Sequence, residues 1–169
     1  MNRENSKSFT EYVVAGTALF VSLTSLLVYI YQAKIMKEQQ YVSVWPYVEW
    51  LNYDVGAYWL AARNKGVGPA IIRKVEMRLD GKPVKDNDDL LVQLGGSSIK
   101  SLVNSTLEGR VLSPGEEVLP MKIADPQDAK EFLLKLRKHE FEMRITYASV
   151  YGECWESTGV KVRKVSCPD

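Results

Sequence analysis

The feature that most constrains this chain is an uncharged, apolar stretch near its N-terminus, Tyr12–Tyr31. A helix of about 20 residues spans roughly 30 Å, which is the thickness of the hydrocarbon core of a bilayer. A soluble domain rarely leaves so long a stretch without a polar face. Tyrosines at both ends also suit the two membrane interfaces. We therefore expect a single transmembrane helix over residues 12–31.

A cleaved signal peptide is the alternative interpretation of this stretch. The apolar run is longer than the roughly 7–15 residues of a signal-peptide core, and no small-x-small cleavage site follows it. We therefore expect an uncleaved signal-anchor, preceded by a flank at residues 1–11. Gln32–Gln40 contains good helix formers and no breaker, so the helix is expected to continue through this juxtamembrane segment.

The charges beside the span do not decide which side of the membrane the rest of the chain occupies. Arg3 and Lys7 precede the span, and Lys34 and Lys37 follow it. The positive-inside rule counts Lys and Arg close to the two ends, and here the count is equal.

Small side chains recur along one stripe of the predicted span. Ala15, Ala18, Ser22 and Ser25 follow a 3-4-3 spacing, which places them on one side of a helix. Small residues let transmembrane helices approach closely, so the stripe predicts self-association into a homo-oligomer. Chance is the alternative, because Ala and Ser are common in such spans.

Composition excludes several classes of protein. The chain carries 22 basic and 21 acidic residues, for a net charge of +1, whereas a nucleic-acid-coating protein has a basic surplus. Zinc sites usually draw three or four ligands from Cys and His, so two cysteines and one histidine supply such a site poorly. No nucleophile–base pair stands out, so we expect no enzyme activity, no metal and no cofactor.

Residues 41–169 have the pattern of one mainly-β domain. Short alternating segments are separated by turn signals every 8–12 or so residues, which is typical of a β-sandwich. Asp125-Pro126 starts one inserted amphipathic helix, with Asp125 as its N-cap. Asn64–Ala70 predicts a turn with positive φ at one glycine, and Asp80-Gly81 predicts a hairpin. The predicted strands are Ala57–Asn64, Ala70–Asp80 with a bulge after Ile72, Leu107–Val111, Val118–Ile123, Glu140–Ser149, and Cys154–Val165 as one strand or a pair with a bulge or bend at Gly159.

Several of these segments together resemble a group of bacterial proteins with one N-terminal span and an immunoglobulin-like β-sandwich. The resemblance rests on the span with its polar extension, on Trp45-Pro46-Tyr47, on Asn64–Ala70, on Ser113–Glu116, and on the closing Tyr147–Trp155. It covers most of the chain, but its motifs are structural. It implies anchorage in the bacterial inner membrane, the immunoglobulin-like fold and a cytoplasmic soluble domain. It implies no catalytic residue.

Three sets of residues are candidates for function. Lys65, Arg73, Lys74 and Arg78 would form an anion-binding face, although a solvated strand face is the simpler interpretation. Trp45, Tyr47 and Tyr53 belong to an aromatic-rich segment and would form an exposed aromatic patch, with ordinary packing as the alternative. Cys154 and Cys167 would pair in a disulfide only if the domain is extracytoplasmic, and would be free thiols in the cytoplasm.

The function expected from these observations is that of a membrane-tethered, non-enzymatic binding module. It would recognise a protein or small molecule through loops or an edge strand. The alternative is a membrane effector that senses a ligand such as a nucleotide messenger, clusters, and perturbs the bilayer, as in bacterial antiviral defence.

Overall fold

The computed structural model of this protein describes residues 3–95 and 99–168. It divides into two compact units, of which the first ends at Val42 and the second begins at Ser43. The first unit is formed by one helix and the second by two antiparallel sheets with two short helices. The chain is therefore one long N-terminal helix followed by a mainly-β domain.

Helix α1 runs without interruption over Arg3–Ser43. Its Phe9–Ser43 part is long and apolar enough to cross a membrane, and none of the apolar window is buried inside the structure. The expected continuation through Gln40 is confirmed, and the helix extends three residues further. Only Val44–Tyr47 separate the end of α1 from the first strand.

The first sheet has the strand order β1-β2-β7-β5, and all of its pairings are antiparallel. Pro46 lies just before β1, at the edge of this sheet, where a missing backbone N–H does no harm. The strands are β1 (Val48–Tyr53), β2 (Tyr58–Asn64), β5 (Leu102–Asn104) and β7 (Glu117–Ile123).

The second sheet has the order β10-β9-β8-β3-β4, with β6 pairing to the start of β3. The register of β3 against β8 shifts between Ile72 and Lys74, which confirms the predicted bulge. Asp80 and Gly81 both have positive φ and close the hairpin from β3 to β4, as predicted. The strands are β3 (Ala70–Leu79), β4 (Lys82–Val84), β6 (Val111–Leu112), β8 (Phe141–Ala148), β9 (Cys154–Thr158) and β10 (Lys161–Val165).

Each short helix begins with a side-chain cap. In α3 (Pro126–Leu136) the Asp125 carboxylate accepts from the backbone N–H groups of Gln127 and Asp128, as the sequence predicted. In α2 (Asn87–Gln93) the cap is Asp86, whose carboxylate accepts from the N–H of Asp89. Asp86 therefore has a structural role as a helix cap.

One core cluster receives side chains from both sheets and from both short helices. At one end of it the ring of Phe132 on α3 lies 4.6 Å from the ring of Tyr58 on β2. This contact fixes the amphipathic face of α3 on the domain, because both side chains are almost fully buried.

One predicted strand is wrong in its extent. Leu107–Val111 alternates as a strand would, but only Val111–Leu112 pairs with β3. Gly109 has positive φ and, with Arg110, makes a turn that meets the bulged part of β3 through backbone hydrogen bonds to Ile72. We name residues 105–110, which connect β5 to β6, the strap. Alternation alone does not distinguish it from a strand.

Candidate functional site

Asn64, at the end of β2, is fully buried and uses all of its hydrogen-bonding capacity. Its Oδ1 accepts from the backbone N–H groups of Tyr47, at 3.2 Å, and Gly66, at 2.9 Å. Its Nδ2 donates to the carbonyls of Gly68, at 2.8 Å, and Leu112, at 3.0 Å. The side chain thus joins the residues before β1 to the Asn64–Ala70 loop and to β6, and it has no capacity left for a ligand.

The same loop clamps the chain that leaves α1. The carbonyl of Trp45 accepts from the N–H groups of Val67 and Gly68, and the carbonyl of Tyr47 accepts from Lys65. A Cβ at Gly68 would overlap the backbone of Val44. The predicted turn is confirmed, but its reason is close backbone approach, since neither glycine of the loop is among those with positive φ.

The three aromatic residues proposed as a patch do not form one surface. Trp45 is 42% exposed and meets the ring of Tyr47 edge-on, at 5.6 Å. Tyr47 in turn donates its hydroxyl hydrogen to the carbonyl of Val160, at 3.0 Å. Tyr53 lies roughly 20 Å further along the strand direction, and its ring is 5.6 Å from that of Trp59. Whether Trp45 and Tyr47 bind a partner remains a prediction.

The four candidate cations lie in two places, and carboxylates accompany them. Lys65 follows β2, and its Nζ is 2.6 Å from the Glu49 carboxylate. Arg73, Lys74 and Arg78 lie on β3 of the other sheet. Lys74 pairs with Glu76 at 2.9 Å, and Arg78 stands opposite Glu142 in the register of β3 and β8. Anion binding by these four residues remains a prediction. The negative charges of the neighbouring carboxylates would oppose it.

Cys154 and Cys167 form a disulfide. Cys154 is the buried first residue of β9, while Cys167 lies in the exposed tail after β10. The β9–β10 hairpin brings Val165 opposite Cys154, so the tail needs only to fold back for the two Cα atoms to come within 5.2 Å. That separation lies well within the range in which two cysteines can be bridged.

A cleft that the sequence did not reveal opens where the strap from β5 to β6 crosses between the two sheets. It has a volume of about 270 Å³. Its apolar wall comes from both sheets and from the strap, and includes Leu60, Val75, Met77, Leu107 and Met143. The volume is close to the lower end, about 300 Å³, of typical ligand pockets.

Polar residues form the rim of this cleft: the amides Asn87 and Asn104, the carboxylates Asp86 and Glu108, and Lys85. Asn87 donates to Asn104 at 3.0 Å and to the carbonyl of Pro120 at 2.9 Å, which ties α2 to the first sheet. Glu108 accepts from the backbone N–H of Val75, at 3.1 Å, where β3 is paired with neither β4 nor β6. The rim is therefore built by contacts between distant segments, which explains why no local motif marked it.

His139, the single histidine of the chain, has a structural role. Its Nδ1 lies 2.7 Å from one carboxylate oxygen of Asp80 in the β3–β4 hairpin. The backbone N–H of Glu140 donates to the other carboxylate oxygen of Asp80. These two hydrogen bonds hold the pKa of Asp80 below its usual value, and the one from His139 has the larger effect. The contact attaches the hairpin to the segment between α3 and β8.

Within residues 3–95 and 99–168, no group of three or more His, Cys, Asp and Glu side chains is placed to hold a metal ion. Comparison of the chain with protein-family models, with curated proteins and with solved structures found no match. The function must therefore be argued from the geometry of this chain alone.

Proposed function

We propose that this chain is a membrane-tethered, non-enzymatic binding module in a bacterial cell membrane. One observation carries the proposal: α1 has an apolar stretch about 20 residues long that is not buried among the residues the structure describes, and only four residues separate α1 from β1. Such a helix is stable in a bilayer, where its backbone groups are satisfied internally and its side chains meet lipid. The two sheets around one core support an immunoglobulin-like sandwich as the tethered domain.

The cysteine pair favours the oxidising side of the membrane for this domain. Disulfides persist in the periplasm and outside the cell and are rare in the cytoplasm. The equal flanking charges allow this orientation. The resemblance implied a cytoplasmic domain, and we propose the opposite side instead. The reason is the adjacency of the two sulfurs, which the sequence alone did not show.

The cleft under the strap is the surface that best suits binding by this domain. Its wall of aliphatic and thioether side chains and its polar rim, which carries amides, carboxylates and one lysine, suit a small, mainly apolar group that also makes one or two hydrogen bonds. The alternative, a sensor of a nucleotide messenger, would need the cations on β3 and after β2, which lie apart and beside carboxylates.

Membrane anchorage is tested by extracting membranes with alkaline carbonate. An integral protein stays in the pellet, and release into the supernatant would contradict the proposal.

Binding is tested by melting the full-length protein in detergent with small apolar ligands and with nucleotides, since a ligand of the native state raises the melting temperature. A shift from an apolar ligand should disappear in Val75→Trp, which fills the cleft, and persist in Val111→Trp, which lies outside it. A shift produced by nucleotides alone would favour the sensor function.

A further inference from the structure

A seven-residue repeat runs along one side of α1. Five β-branched residues recur at intervals of seven, and four small or amide residues fall between them, so that successive members are four and three positions apart. We name this surface the seam. Its members are Val14, Ala18, Val21, Ser25, Val28, Gln32, Ile35, Gln39 and Val42.

Alternating steps of four and three average 3.5 residues, which is the repeat of helices that pack as a left-handed coiled coil. The repeat needs an unbroken helix to form one surface, and α1 provides one from end to end. The apolar stretch alone predicts a span but no preferred side. The spacing of the β-branched residues is what selects one side of it.

The seam continues beyond the predicted span, into the part of α1 expected to be in water. There it consists of Gln32, Ile35, Gln39 and Val42, and Val42 is 71% exposed. The hydrocarbon core cannot cover Ile35 and Val42, because at 1.5 Å per residue they lie roughly 6 Å and 16 Å beyond the end of the expected span. The charged residues of this part, Lys34, Lys37 and Glu38, all lie off the seam.

We infer that the seam is the surface through which copies of this chain pack against one another, parallel and in register. A membrane holds every copy of an anchored helix in the same direction and at the same depth, so each seam residue faces its own counterpart. Amides are self-complementary in this arrangement, because Gln32 and Gln39 each carry donors and an acceptor. Glu11, which occupies the next position of the repeat toward the N-terminus, ends the seam at Val14.

This inference rests on the proposed membrane anchorage. It also names the helix surface through which the self-association predicted from the sequence would occur. The small-residue stripe of Ala15, Ala18, Ser22 and Ser25 shares only Ala18 and Ser25 with the seam. The hydroxyl of Ser22 donates to the carbonyl of Ala18 within the same helix, at 2.8 Å. That hydrogen bond leaves Ser22 with no proton for a neighbouring helix. The seam also extends into water, where burial of Ile35 and Val42 contributes to association.

The test is cysteine cross-linking of the full-length protein in native membranes, in a Cys154→Ser/Cys167→Ser background whose fold is checked by tryptophan fluorescence. Single cysteines replace Ile35, Gln39 and Val42 on the seam, and Ala33 and Lys37 away from it. Under mild oxidation we expect the seam positions to form covalent dimers at least about fivefold more than the controls, with the 3-4 periodicity of the repeat. Equal cross-linking at all five positions, or none, overturns the inference.

A second measurement keeps the native cysteines. Ile35→Glu with Val42→Glu should convert the oligomer in lipid nanodiscs to a monomer by mass, while Ala33→Glu at a neighbouring outward position should not. An unchanged mass in the seam variant overturns the inference. If the chain is monomeric throughout but still resists carbonate extraction, the seam fails and the proposed anchorage stands, so the two failures are distinguishable.

Discussion

Phe20 and Phe132 show how differently α1 and the β domain use apolar residues. Phe20 lies on α1 with 68% of its surface exposed, whereas Phe132 on α3 is fully buried against Tyr58. The β domain buries most of its large apolar side chains in one core cluster, whereas the described apolar side chains along the span of α1 are exposed. The stability of the domain should therefore depend on contacts within the chain, and the state of α1 on lipid and on other copies.

Tryptophan fluorescence can separate these two regions. All four tryptophans lie in the β domain, at positions 45, 50, 59 and 155. Unfolding by denaturant in detergent, followed through this signal, reports the domain alone. Changes inside the domain should alter its unfolding free energy, and changes in α1 should alter only membrane insertion and association.

The largest effect is expected from Gly68→Ala. The added methyl group overlaps the backbone of Val44, so the clamp on residues 44–47 must open and the hydrogen bonds of Asn64 are lost with it. We expect the domain to lose about 4 kcal/mol or more of its unfolding free energy. The matched control is Gly115→Ala, which meets no neighbouring atom within 4 Å but has positive φ, at a cost of about 1–2 kcal/mol. Equal losses in the two variants would show that the close approach at Gly68 does not matter.

Reduction of the disulfide should produce the next largest effect. Cys154 and Cys167 are 13 positions apart, and closing a loop of this size stabilises a fold by about 3 kcal/mol in the chain-entropy model. Denaturation with and without reductant measures the difference. Cys167→Ser serves as the control, because it should remove the effect of the reductant and leave the lower stability. A protein whose stability is the same in all three cases would lack the bond in solution.

Leu23→Arg should affect α1 and leave the domain unchanged. An arginine at the centre of a span costs about 2.5–3.5 kcal/mol of insertion free energy, so the carbonate-resistant fraction should fall. The unfolding free energy of the domain should stay within about 0.5 kcal/mol, because every member of the core cluster lies at or beyond Val48. Leu134→Arg, at an exposed position of α3, should leave insertion intact. A domain destabilised by Leu23→Arg would contradict the separation of the two regions.

The smallest effect is expected at Asp80, and it depends on pH. Hydrogen bonds from His139 and Glu140 lower the pKa of this carboxyl in the folded protein. The ionised carboxylate therefore adds to the free energy of unfolding when the pH is above the pKa of the unfolded state. This stabilisation is lost as the pH falls through the pKa of the folded state. Asn tolerates the positive φ of this position, and Asp80→Asn should remove this part of the acid dependence. Urea titrations at pH 7 and pH 3 measure the change in unfolding free energy between the two pH values. If this change is the same in the parent protein and in Asp80→Asn, the Asp80 carboxylate makes no such contribution.

The sequence predicted the elements whose causes are local. Asp80-Gly81 made the hairpin, Asp125-Pro126 began α3, and the apolar run made α1, because turn chemistry, capping and helix length each act within a few residues. The bulge after Ile72 was also visible as a break in the alternation. These elements could be placed without knowing which strands pair.

The candidate site was harder to predict, because its parts meet only after distant segments have folded. Glu108 reaches Val75 across 33 positions, and Asn87 reaches Pro120 across the same separation. For the same reason, the alternation of Leu107–Val111 predicts a strand where the structure has the strap. The cysteine pair illustrates the same limit, since a separation of 13 fits a disulfide or two free thiols until the hairpin between them is known.

We have proposed that a membrane anchor holds this domain on the oxidising side, and the state of its cysteines in living cells is the sharpest test of that proposal. Thiols are blocked with a small maleimide before lysis, and the denatured protein is then treated with a maleimide-polyethylene glycol that adds visible mass to each free thiol. If the domain lies on that side, no mass is added unless the protein is reduced after blocking, when two groups should be added. A chain that the small reagent has already blocked at both cysteines, so that later reduction adds no mass, would contradict it and return the domain to the cytoplasm.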